Sequence, residues 1–217
     1  IDGMILLTPR LDDAGLKKLE QVDIPTVLMG HLEGTNLYSV DVDNQLAAQQ
    51  GVQYLLELGH TEIACIANAP PSYAASPERV AGYKNALIAA GITPDDSMVR
   101  YADFDPQSGY DQMKSLLDSG KKFSAVFVAS DNVAMGVKAA LRESGLRIPE
   151  DISLVGFDDI PWAQYADPPL TTVHLQAQEL ARRACLVLMD LLQGLEPELK
   201  QQIIGTQLVV RKSCRRL

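Results

Sequence analysis

An α/β fold built on parallel sheets is predicted by three features of this 217-residue sequence. Short apolar runs of strand length alternate with stretches of helical periodicity, the signature of βαβ units. The strand-length runs are apolar throughout, as expected where helices cover both faces of a sheet. With 47% hydrophobic and 22% charged residues, the composition is that of a globular protein, and a chain of this size buries roughly 70% of its unfolded surface.

The elements follow in order. Ile5-Leu6-Leu7 is a short buried run, and a helix is expected from about Ala14 to Gln21. Pro25 to Met29 forms the next strand, and residues 31 to 39 are polar and turn-rich. A long helix from about Asn44 to Leu58 carries Leu46, Val52, Leu55 and Leu56 on its apolar stripe and stops at Gly59, where glycine suits the left-handed end of a helix. Ile63 to Ala67 is a strand. Pro77 lies in the first turn of a helix that ends at Gly91. Met98 to Tyr101, Ala125 to Ala129 and Ser153 to Gly156 are strands, separated by helices over Pro106 to Ser119 and Asn132 to Ser144. A long helix spans about Ala177 to Gln193. Two short strands, near Gln202 to Ile204 and Thr206 to Val210, close the chain.

Composition excludes several classes of function. Lys and Arg number 19 against 28 Asp and Glu, a net charge of -9, and such a surface repels phosphate, so these residues do not grip nucleic acid by themselves. No apolar run reaches the ~18 residues of a membrane span. Cys65, Cys185 and Cys214 are odd in number and widely spaced. They form no CxxC pair or His/Cys cluster, so neither metal nor cofactor is expected, and a reduced, cytoplasmic chain is the simpler reading. Catalytic motifs are missing: there is no GxSxG, HExxH or GxGxxG and no complete phosphate loop. Without a nucleophile–base pair, an enzyme is not expected.

Polar groups gather instead where strands end, the place where open α/β sheets bind ligands. Asp158 and Asp159 follow one strand; Asp158 either caps the next turn or accepts hydrogen bonds from vicinal hydroxyls, as in sugar or nucleoside recognition. Ser130 and Asp131 follow another, and one of them is expected to cap the following helix. A third strand end leads through Asn68 to Ser76 to Arg79, a cation placed by sequence in a first helical turn, against the helix dipole. Phe104 stands amid acids in Tyr101-Ala102-Asp103-Phe104-Asp105 and is either core or a ring for stacking on a ligand. His31 follows a strand and could face a ligand. His60, in Gly59-His60-Thr61, is expected to satisfy free carbonyls at a helix C-terminus.

Together these segments resemble the effector-binding domain of LacI/GalR-type bacterial transcriptional repressors. The resemblance is carried by Asp2-Gly3-Met4-Ile5-Leu6, Val40-Asp41-Val42-Asp43-Asn44, Leu58-Gly59-His60-Thr61-Glu62-Ile63-Ala64 and Glu78-Arg79-Val80-Ala81-Gly82-Tyr83. It continues through Ala129-Ser130-Asp131-Asn132-Val133-Ala134-Met135-Gly136, Pro149 to Asp159, Pro168-Pro169-Leu170-Thr171-Thr172-Val173 and Leu208-Val209-Val210-Arg211-Lys212-Ser213. Any one segment is weak; all of them, in order over nearly the whole chain, are specific.

The resemblance implies a periplasmic-binding-protein-like type I fold: two parallel-sheet αβα subdomains with a ligand cleft between them. Residues 1–42 plus 174–204 would form a partial N-terminal subdomain, and residues 43–172 plus 206–217 the C-terminal one. Crossings would fall near Val42-Asp43, Thr172-His174 and Gly205. It further implies that Arg79, Phe104 and Asp158 contact the effector, with Ser130, Asp131 and His31 as further candidates. The effector would be a sugar, or as second choice a purine or nucleoside. A homodimer would bind operator DNA through a helix-turn-helix headpiece, which this chain lacks together with the first β-α-β-α stretch of the N-terminal subdomain. The chain opens on Ile1 rather than Met, and the intact protein is expected to be longer. Gly30 and Leu175 depart from residues common in the family. The competing reading is a periplasmic sugar-binding protein of an ABC transporter, which shares the fold.

Overall fold

The computed structural model describes residues 1–22 and 24–217. They divide into two compact units: Ile1–Asp43, Ser72–Ala75 and Gln176–Gly205 in the first, and Asn44–Pro71, Ser76–Leu175 and Thr206–Leu217 in the second.

The first unit holds β1 (Met4–Leu7), α1 (Ala14–Leu19), β2 (Thr26–Met29), β3 (Tyr38–Val42), α6 (Ala177–Leu192) and β9 (Gln201–Ile204). Its four strands lie in the order β1-β2-β3-β9, all parallel. Val27, Leu28, Val40 and Ala184 are fully buried there. Asp13 caps α1 by accepting from the Gly15 N–H at 2.7 Å, a local device that starts a helix of only six residues.

The second unit holds α2 (Asn44–Glu57), β4 (Ile63–Ala67), α3 (Ala75–Ala89), β5 (Val99–Tyr101), α4 (Pro106–Asp118), β6 (Ala125–Val128), α5 (Asp131–Glu143), β7 (Ser153–Asp158), β8 (Thr171–Leu175) and β10 (Thr206–Val209). Strand order is β10-β8-β7-β6-β4-β5. Side chains alternate across this sheet with period two. Cys65, Phe127, Val155 and Phe157 pack with α2 and α3. Ala64, Ile66, Val126, Val128 and Leu154 pack with α4 and α5. Two covered faces explain why these strands read as unbroken apolar runs.

Four expectations are corrected. The edge strand β10 runs antiparallel to β8, because the chain returns to the second unit directly from β9 without a crossover helix. Residues 38–42 and 171–175 are strands that the element reading did not mark as such. Leu46 is 50% exposed; α2 presents Ala47, Ala48, Gly51, Val52 and Leu55 instead. Small residues let it lie close to the sheet: a Cβ on Gly51 would sit 3.3 Å from Phe127, Val155 and Val173 alike. His60 meets no carbonyl of its own helix. Its ring nitrogens pair with Ser124 Oγ at 2.8 Å and the Arg215 carbonyl at 3.0 Å, tying the C-terminal tail to the sheet, and burial lowers its pKa.

Helices α4 and α5 approach backbone to backbone. A Cβ on Gly136 would overlap the Pro106 carbonyl, and one on Gly109 the Val133 carbonyl. Backbone cannot swing aside as a side-chain tip can. Gly136→Ala is therefore expected to cost ~1–3 kcal/mol or more, read as a lower urea midpoint at unchanged slope. Equal midpoints would show that the crossing has slack.

Candidate functional site

The site is a rim at the C-terminal ends of β4, β6 and β7 in the second unit. The chain passes from β4 to β5 on one side and then to β6 on the other. The crevice between β4 and β6 is thus a topological switch point, where open α/β sheets take their ligands.

Arg79 lies in the second turn of α3, not the first, so the helix dipole does not explain its placement. Packing does. Its side chain is only 9% exposed, with the guanidinium 3.8 Å above the Phe157 ring, a cation–π stack. Nε donates to Asn44 Oδ1 at 2.9 Å and Nη1 to the Ala129 carbonyl at 2.7 Å. Nη1 also stands 3.7 Å from Asp158 Oδ1. The planar fork is thus fixed before any ligand arrives.

Asp158 ends β7 with φ 112, and Asp159 follows at φ 58. Two consecutive left-handed non-glycine residues are uncommon and mark functional sites. Ser130 takes the N-cap position of α5 but makes no capping bond; its Oγ donates to Asp158 Oδ2 at 3.0 Å. The expected cap is thus replaced by a link across the sheet. Burial pushes the pKa of Asp158 up, while Arg79, the Ser130 hydroxyl and the Asp131 N–H pull it down.

Asp131, a candidate contact by sequence, has a supporting position in the structure. It is fully buried. Oδ1 accepts from Thr172 Oγ1 at 2.7 Å and Oδ2 from the Ile160 N–H at 3.0 Å. Gly156 lies against it, and a Cβ there would overlap the carboxylate. Asp131 so pins the turn that carries Asp158. Burial, first, and the nearby Asp158 and Asp159 push its pKa up to about 7. An acid with a raised folded pKa gives most stability below its unfolded value, and that contribution is lost as pH rises through the folded one. Wild type should lose stability relative to Asp131→Asn between about pH 4 and pH 7. Parallel pH profiles of the two would contradict this.

Phe104 belongs to neither core cluster of the unit and is half-buried. Its backbone, at φ 64, is held on both sides: its N–H donates to the Asn68 carbonyl at 2.8 Å, and its carbonyl accepts from Asn132 Nδ2 at 2.8 Å. His31 lies elsewhere, in the first unit, half-buried after β2 and Gly30. The structure thus brings Arg79, Ser130 and Asp158 into one bonded chain, with Phe104 anchored to the same rim.

Sequence reasoning missed two features. Asp159 is locked by Arg211 Nη2 at 2.7 Å and His174 Nδ1 at 2.9 Å, which holds the strained turn from its outer side. The Asp-Asp pair was visible, but its partners lie 52 and 15 residues away. The other is the side chain of Asn68.

Comparison with known proteins gives a consistent result. The family model of a periplasmic binding protein-like domain matches residues 52–214. The chain is 38% identical over 216 residues to the HTH-type transcriptional regulator CelR of Thermobifida fusca, covering 98% of this chain and 63% of that protein. It is 38% identical over 220 residues to the HTH-type transcriptional repressor CytR of Escherichia coli (strain K12), covering 100% of this chain and 64% of that protein. The solved CelR–cellobiose complex superposes with a TM-score of 0.92, covering 98% of this chain and 66% of that one. The lac repressor dimer bound to operator and the anti-inducer ONPF does so with a TM-score of 0.88 at 31% identity, covering 99% and 74%. The chain therefore spans less than two thirds of the length of these curated relatives.

Proposed function

We infer, since the chain belongs to the periplasmic binding protein-like family and within it to the LacI-type regulators, that it is the effector-sensing part of a transcriptional repressor and performs no catalysis. The observation that carries this reading is the Arg79–Asp158–Ser130 chain at the switch point of the sheet. A preset carboxylate, a fixed guanidinium and an anchored aromatic ring suit a small polyhydroxylated molecule: the acid accepts from hydroxyls and the ring covers an apolar sugar face. A sugar is the first choice and a nucleoside the second. The relative crystallised with cellobiose supports that order. Arg79, Phe104, Asp158 and Ser130 are the contacts that the second unit offers.

The intact protein would bind operator DNA as a homodimer, through a region outside this acidic chain. Effector would alter operator affinity only by its differential affinity for two states, about 5 kcal/mol for a near-complete switch. Calorimetry with cellobiose, simple hexoses and nucleosides tests the site. Operator affinity of the full-length protein with and without the molecule that binds tests the regulation. Operator affinity unchanged at saturation would reject regulation in favour of a transport-type binding protein. Tight, sequence-specific DNA binding by these 217 residues alone would also contradict the scheme.

A further inference from the structure

We propose that Asn68 is an effector contact, its side-chain oxygen accepting a hydrogen bond from a hydroxyl of the bound sugar. This rests on the effector-site reading above and adds a residue to it. Asn68 follows β4 directly and is 6% exposed. Its Oδ1 is the one buried side-chain oxygen or nitrogen among the described residues without a hydrogen-bond partner. Buried amides in folded proteins are nearly always satisfied, and an orphaned acceptor needs a reason.

Position supplies one. Asn68 sits beside the β4–β6 switch point. Its backbone carbonyl anchors Phe104, and Ala129, at the end of the neighbouring β6, receives Arg79. Nearby donors have other acceptors: Arg79 Nε has Asn44 and its Nη1 has Ala129, the Ser130 hydroxyl has Asp158, and the Asn132 amide has the Phe104 carbonyl. The donor for Asn68 is assigned to the ligand. The rim presents two acceptors on different strands, the Asp158 carboxylate and the Asn68 amide oxygen. A ligand with several spaced hydroxyls meets both, whereas one with a single donor meets only the acid.

A structural asparagine and a ligand-binding one behave in opposite ways. Removing a structural amide destabilises the fold. Removing an orphaned acceptor relieves desolvation in the free protein and is felt only when ligand binds. The test compares wild type, Asn68→Leu and Asp158→Ala by thermal denaturation without ligand and by calorimetry with cellobiose and with adenosine as probes. Asn68→Ala covers the case in which leucine does not fit. The expected result is an Asn68 variant that melts at or above wild type yet binds the probe about 10- to 100-fold more weakly. A lower melting temperature in both Asn68 variants would assign the amide to the fold and overturn the proposal. So would unchanged affinity in the Asn68 variants alongside lost affinity in Asp158→Ala, which leaves the site reading intact. If Asp158→Ala also binds normally, or wild type takes neither probe, the site reading fails and this contact with it.

Discussion

Arg79→Ala is expected to cost about 3–5 kcal/mol of folding stability and to abolish effector binding. The guanidinium is almost fully enclosed, and its removal disturbs four groups at once. Asn44 Oδ1 and the Ala129 carbonyl each lose the donor that Arg79 supplies, Asp158 loses the cation beside it, and the Phe157 ring loses its cover. A buried acceptor that loses its donor costs desolvation. Arg79→Lys should recover less than half of the loss, because an ammonium offers neither the planar fork nor a flat face. Denaturant midpoints at constant slope measure both variants. A midpoint for Arg79→Ala within error of wild type would mean that the network adds nothing to the fold.

Asn44 gives this variant a second interest. It is the first residue of the second unit after the chain leaves the first at Asp43. The residue that orients Arg79 thus sits at a point of passage between the units. A change at Arg79 is felt there directly, through one 2.9 Å bond.

How much of this was legible beforehand depended on what burial does to sequence. Strands β4 and β6 are covered on both faces and apolar at every position, and β7 is apolar between Ser153 and Asp158, so they could be read directly. Strand β8 could not: Thr171 and Thr172 are fully buried yet polar, because their hydroxyls bind the Arg211 N–H and Asp131. Strand β3 mixes Tyr38, Ser39 and Asp41 with two valines and carries no clean period. The direction of β10 is set by the path of the chain, which periodicity does not record. In the site, strand-end polarity located Arg79, Phe104, Ser130 and Asp158. It did not separate Asp158 from Asp131. Both are acids at strand ends, and only the three-dimensional count of donors shows that one meets solvent while the other is spent beneath it. Asn68 was invisible for the same reason: an unsatisfied acceptor is a property of its surroundings.

Asp158→Ala should behave in the opposite way to Arg79→Ala, with stability kept and ligand lost. The carboxyl is 28% exposed on its side chain, and burial holds its pKa above the ordinary carboxylate range. A folded pKa above the unfolded one means that the ionised group opposes folding; its stabilising share is present below the unfolded pKa and lost as pH rises through the folded pKa. Deleting it therefore removes a cost at neutral pH. Its neighbours are not stranded: Arg79 keeps Asn44 and Ala129, and water reaches the Ser130 hydroxyl through the space left open. The backbone takes back part of that gain, since Asp tolerates the φ of 112 at this position better than Ala. A ligand bound as proposed would instead lose two charge-assisted hydrogen bonds, ~2–4 kcal/mol or about 30- to 1000-fold in Kd. Melting temperatures at pH 7 should match or exceed wild type, and the two proteins should converge as acid protonates the wild-type carboxyl. A clear fall in stability with affinity intact would make Asp158 a structural acid. The strained turn at Asp158 and Asp159, with Asp131 and Arg211 supporting it, would then need another reason to exist.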